Sequence, residues 1–212
     1  MNLEPFDAAD GYRVWLDQSA VAQLLSRCQS QKEALAITLG VRSGLRASEI
    51  VAVEAQHVVD TSAGPRVRVH DSKGKRYRET PTTESVRSTA ATYAELQGPD
   101  ARLVPHSKRW VQRHLDALCA GLAADGDEMW THVTPHDLRR TWATSLAGSE
   151  VDPLLVCDWG GWSDLETFLQ HYRGTYSPDV QRRELEKVAW LSDGGAMREA
   201  ADADPDGWVV ET

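Results

Sequence analysis

His136 and Arg139, three residues apart, are the strongest chemical signal in the chain. They follow Thr134-Pro135, a helix start with proline at its first position, so both fall early in a helix and share one face. Imidazole exchanges protons near neutral pH, and guanidinium presents a planar fork of donors that matches phosphate oxygens. Leu138, Trp142 and Leu146 form an adjacent stripe that would bury the helix and leave the pair projecting to one side. A capped helix with exposed charge is the plainer reading. It fits poorly with one histidine and two arginines, Arg139 and Arg140, so close to the helix start.

A second cation stands where a cation is unfavourable. Arg46 follows Ser43-Gly44-Leu45 at the start of a short helix, where the macrodipole repels positive charge. The placement makes sense if the guanidinium and nearby backbone N–H groups hold a phosphate together. Glu49, three residues on, reaches the same face and can orient Arg46. Taken alone, a surface ion pair is the simpler explanation.

Three further residues could complete a phosphate-transfer site. Lys73 lies in the turn Lys73-Gly74-Lys75-Arg76-Tyr77-Arg78, which contains two of the five lysines. A turn can carry an ammonium into a groove, where a lowered pKa makes it a general acid; a solvated basic turn is the alternative. Trp162 follows Gly160-Gly161, and its indole N–H can donate to phosphate but cannot shuttle a proton. Eight tryptophans in the chain make core packing an equally ready account of it. Tyr172 ends the helical pattern Leu165, Phe168, Leu169, Tyr172, so it is either a nucleophile or a buried aromatic, with Tyr176 as a fallback.

In their order along the chain, these residues resemble the catalytic domain of the tyrosine recombinases, the phage-integrase family, over residues 14–188. The resemblance implies that Tyr172 attacks a DNA phosphate and forms a 3′-phosphotyrosine. Arg46, Arg139 and Trp162 would hold the non-bridging oxygens, with Glu49 in support. His136 would manage the tyrosine proton and Lys73 would protonate the leaving 5′ oxygen. Lys75, Arg76, Arg78 and Arg140 would contact DNA. It further implies double-stranded DNA as partner, a tetrameric synapse on that DNA, and neither metal nor cofactor. Two features depart from the usual pattern: Trp162 stands where most members carry histidine, and Tyr172 follows it by ten residues rather than about nine. Members also usually have an N-terminal helical domain that closes over DNA. Only residues 1–13 precede the catalytic fold here, so a separate core-binding domain or accessory protein is expected to supply that half. A degenerate integrase acting as a DNA-binding or regulatory protein is the main alternative. A type IB topoisomerase and a helical scaffold are two others.

The elements that must position these residues are mainly helical, with one small three-stranded antiparallel sheet, an α+β arrangement. Apolar spacing predicts helices over residues 19–28, 34–41, 47–53, 84–96 and 108–122, then from Thr134-Pro135 to residue 146. Ser30 and Glu33 form a capping box for the second, which is apolar nearly all round and hence central. Asp152-Pro153 and Ser177-Pro178 mark two more helix starts, and Ser163 is placed to cap the helix ending at Tyr172. Strands are expected at 57–60, 66–70 and 77–80, with turns at Gly64-Pro65 and around Gly74. The catalytic domain is expected to span 14–190, and the acidic segment 191–212 to be disordered.

The net charge of −9 is unusual for a DNA-binding protein. Residues 191–212 carry six acids and one base, which leaves 26 acids against 22 bases in residues 1–190. Eighteen of the 23 bases are arginine, the better phosphate fork. The acid-rich, lysine-poor composition resembles that of halophile proteins. Cys28, Cys119 and Cys157 suit neither a disulfide framework nor a metal spacing, which is consistent with core packing in a reducing cytoplasm. No apolar run is long enough to span a membrane.

Overall fold

The computed structural model describes residues 1–5, 12–70, 77–149, 151–172 and 178–188. It forms two units, Met1–Arg173 and Gly174–Thr212. The first begins with a two-stranded antiparallel hairpin, β1 (Asn2–Pro5) and β2 (Tyr12–Trp15). Helices α1 (Gln18–Ser26), α2 (Gln31–Ser43) and α3 (Ala47–Ile50) follow. Strands β3 (Val58–Thr61), β4 (Gly64–His70) and β5 (Tyr77–Pro81) make an antiparallel sheet in the order β3-β4-β5. Then come α4 (Glu84–Gln97), α5 (Lys108–Ala124), α6 (Pro135–Gly148), α7 (Pro153–Gly160) and α8 (Leu165–Tyr172). In the second unit, α9 spans Pro178–Glu186.

Helix α2 is the spine of the first unit. Its Ser30 hydroxyl caps the start, and both its faces are buried. Leu35, Ala36 and Leu39 pack toward the three-stranded sheet with Val67, Val69 and Val86. Ile37 and Val41 face the other side, with Leu24, Leu115 and Leu138. The helix ends at Gly44, whose φ of 65° is left-handed; a Cβ there would also lie 2.4 Å from the Trp142 ring. A third cluster joins Trp142, Ala143, Val156, Cys157 and Phe168 under α6, α7 and α8.

The three-stranded sheet matches the sequence expectation, with local differences. The β3–β4 turn falls at Ser62-Ala63, one step before Gly64-Pro65. The Thr61 hydroxyl fixes it, accepting from Ala63 N–H at 3.2 Å and donating to the Gly64 carbonyl at 2.7 Å. His57 belongs to a 3-10 turn rather than to β3, because its Nδ1 accepts the Glu54 N–H at 3.1 Å. Asp164, not Ser163, directly precedes α8, and its carbonyl accepts from Phe168 N–H at 3.3 Å. The β1–β2 hairpin lacked a sequence signal. It is held by α6: Leu16 N–H donates to the Thr141 hydroxyl at 2.9 Å, and Val14 N–H reaches the Asp137 carboxylate at 3.4 Å. Residues 12 and 13, expected to lie in an extension, are thus part of β2. The expected disordered tail lies outside the described residues.

Candidate active site

Gly44 turns the chain out of α2, and Leu45, fully buried, anchors it before Arg46 caps α3. Arg46 keeps a half-exposed side chain. Its guanidinium donates to Glu49 Oε1 at 2.8 Å and its backbone N–H to Glu49 Oε2 at 2.7 Å. The same carboxylate receives a bidentate pair from Arg78 at 2.9 and 2.8 Å. Burial by itself would raise the Glu49 carboxyl. The hydrogen bonds and charge of Arg78, and then those of Arg46, hold it down at about 2. Glu49 is therefore a fixed anion behind Arg46.

His136 and Arg139 occupy the first turns of α6, as their spacing predicted, but their environments differ. His136 is exposed. Arg139 is 1% exposed and donates to the Gly44 carbonyl and the Gly160 carbonyl, each at 2.6 Å. Its guanidinium also lies 4.3 Å from the centre of the Trp162 ring. Trp162 in turn stacks on Trp142, with centroids 6.2 Å apart and planes 11° apart, and meets the edge of Phe168. The site and the third core cluster are thus continuous.

Arg46, His136 and Arg139 line one open cleft of about 310 Å³, together with Lys108, Gln112 and Thr134. Lys108 and Gln112 carry no chemical pattern in the sequence that marks them for a site. The available signal was Ser107, whose hydroxyl accepts from Trp110 N–H and so starts α5 with Lys108 in its first turn. Lys73, Lys75, Arg76 and Tyr176 lie outside the described residues. Tyr172 is the last residue of α8.

Two arginines expected at the DNA surface point inward. Arg78 is 11% exposed on its side chain and is committed to Glu49 and, through Nε, to the Trp159 carbonyl at 2.9 Å. Arg140 is buried and pairs with Asp137 at 2.5 Å. Sequence spacing could not separate these from surface cations, because their partners are distant in the chain or, for Asp137, already bind the Thr134 cap. Among the described residues no three His, Cys, Asp or Glu side chains converge as metal ligands, and no helix is long and apolar enough to cross a membrane.

A profile of the Phage integrase family matches residues 14–177. This chain belongs to that family. The integrase fold is recovered in solved structures. XerA recombinase superposes with a TM-score of 0.64 at 19% identity, over 82% of this chain and 64% of that one. The Tn1549 transposon integrase, solved with transposon right end DNA, gives 0.59 at 21% identity, over 84% and 66%. The catalytic domain of bacteriophage HP1 integrase gives 0.55 at 18% identity, over 85% and 98%. The chain therefore spans less than two thirds of XerA but nearly all of an isolated integrase catalytic domain. A search of curated proteins finds no match.

Proposed function

We propose that this chain is the catalytic domain of a tyrosine-type site-specific recombinase that breaks and rejoins double-stranded DNA. The observation that carries this reading is the cleft in which Arg46, at the start of α3, meets His136 and Arg139 of α6. A phosphate seated there would meet the exposed Arg46 guanidinium on one side and the α6 start on the other. Two of the five Arg139 donors bind carbonyls, which fixes the plane of its guanidinium at the cleft wall. Such fixed donors stabilise the extra charge of a pentacoordinate transition state without reorganising. The Tyr172 oxygen attacks phosphorus, its proton passes to His136, and the P–O5′ bond breaks as Lys73 protonates the leaving oxygen. The 3′-phosphotyrosine keeps the energy of the broken phosphodiester, and a 5′ hydroxyl from a partner strand reverses the steps. No metal or cofactor has a role in this scheme.

The DNA-bound neighbours, including XerH recombinase on its difH substrate, support DNA as the partner. Lys108 and Gln112 at the cleft rim would contact the backbone beside the scissile phosphate. A core-binding domain, an accessory protein, or neighbouring subunits in a tetramer would add phosphate contacts to those of this acidic chain. The test is incubation with a nicked duplex of the target site, followed by a denaturing gel. A covalent protein–DNA band is the expected result. Binding without an adduct would instead assign the chain a regulatory role on DNA.

A further inference from the structure

Arg78 does not line the cleft and its side chain is mostly buried, yet it holds two parts of the site. Its two terminal nitrogens grip both oxygens of Glu49, the carboxylate that also receives the Arg46 guanidinium and backbone N–H. Its Nε holds the Trp159 carbonyl near the end of α7. Trp159 is gripped from a second side, since the Arg66 guanidinium of β4 lies 5.0 Å from its ring centre. The next residues, Gly160 and Gly161, carry the carbonyl that binds Arg139 and a left-handed turn with φ of 67° leading to Trp162. A Cβ at Gly161 would lie 2.9 Å from Arg78 Cδ, so the arginine stem is packed directly against that turn. Arg78 sits on β5, the strand that follows the Lys73 segment.

We infer that Arg78 is a positioning residue, which fixes the Arg46 guanidinium through Glu49 and ties β5 to the α7 end that leads to Trp162. Glu49 alone could accept Arg46 in several side-chain poses. With both oxygens held by a planar fork, the carboxylate has one orientation, and Arg46 inherits it. Lysine at position 78 would supply charge but only a point donor, and could not hold two carboxylate oxygens and a carbonyl in one plane. The role rests on the recombinase reading for its consequence in catalysis, but the coupling of Arg78, Glu49 and Arg46 does not.

The experiment compares the parent with Arg78→Lys and Arg78→Met, each first shown to be folded by circular dichroism. Arg78→Lys guards against loss of fold in the uncharged variant. Two readouts are taken. In the first, carbon-13 NMR follows the Glu49 carboxyl and nitrogen-15 NMR the Arg46 guanidinium. Glu49 should titrate at a higher pH than in the parent, more so in the methionine variant, and the Arg46 signal should shift or broaden. In the second, single-turnover adduct formation on saturating nicked DNA should fall on the order of 10- to 100-fold, the scale of a misplaced catalytic group. DNA affinity should hold within about twofold, because Arg78 does not line the cleft. Unchanged Glu49 and Arg46 signals in the folded variants would overturn the positioning role. So would an adduct rate that stays at the parent's level once the Glu49 and Arg46 signals have moved. A parent that forms no adduct would remove the recombinase reading, and the NMR readout would still decide the positioning role.

Discussion

Arg139 lies over Trp162, its guanidinium carbon 4.3 Å from the ring centre, while its two terminal nitrogens bridge the Gly44 and Gly160 carbonyls. One side chain thus joins the end of α2, the end of α7 and Trp162. Arg139→Lys should fail on both counts. A point ammonium lacks the span of the guanidinium fork over the ring, so a buried carbonyl held at 2.6 Å loses its partner at a cost of roughly 1–3 kcal/mol. Adduct formation should fall by on the order of 100-fold or more as transition-state donors are lost. Thermal unfolding and single-turnover cleavage measure the two effects separately.

Glu49 should govern part of the acid stability. Its carboxyl titrates at about 2 in the folded chain against an ordinary 4.5. A depressed folded-state value stabilises above the unfolded value, and the contribution is lost as pH falls from about 5 toward 2. It amounts to on the order of 3 kcal/mol at neutral pH. Glu49→Gln should therefore be less stable than the parent at pH 7, and the gap should narrow as pH approaches 2. Chemical denaturation across that range checks it. A gap that stays constant with pH would mean that the ion pairs contribute nothing.

Much of this arrangement was legible in the sequence, for local reasons. The Thr134-Pro135 start places His136 and Arg139 on one helix, and the all-round apolar pattern of α2 marks the spine. Ser43-Gly44 marks the turn that leads to Arg46. What could not be read depends on pairs far apart in sequence. Arg78 reads as a surface cation until Glu49, 29 residues away, is placed beside it. The β1–β2 hairpin follows from the Thr141 hydroxyl and Asp137 carboxylate of α6, which no local pattern around residues 2–15 reveals. Lys108 was missed because α5 reaches the cleft only through packing against α3 and α6.

Lys108 supplies a test of the DNA face. If it meets a phosphate, Lys108→Ala should weaken binding to all duplexes alike and reduce the slope of log affinity against log salt by about 1. Titration of fluorescent duplexes at four salt concentrations gives the slope. A change restricted to one sequence would assign Lys108 to base reading instead.

Cleavage should persist in EDTA, because the scheme places protein cations and an imidazole, not a metal, around the phosphate. Adduct yields with and without chelator on the same nicked substrate decide it. Loss on chelation that is restored by Mg²⁺ or Mn²⁺ would contradict the scheme.

A covalent bond between DNA and one tyrosine of this chain is the step on which the proposed chemistry depends. The direct measurement is to trap the adduct on nicked duplex, digest it with protease and nuclease, and map the nucleotide-bearing peptide by mass spectrometry. A 3′-phosphonucleotide is expected on Tyr172, lost in Tyr172→Phe with folding intact and retained in Tyr176→Phe. A modification on Tyr176, or no adduct from the folded parent on its target site, would contradict it.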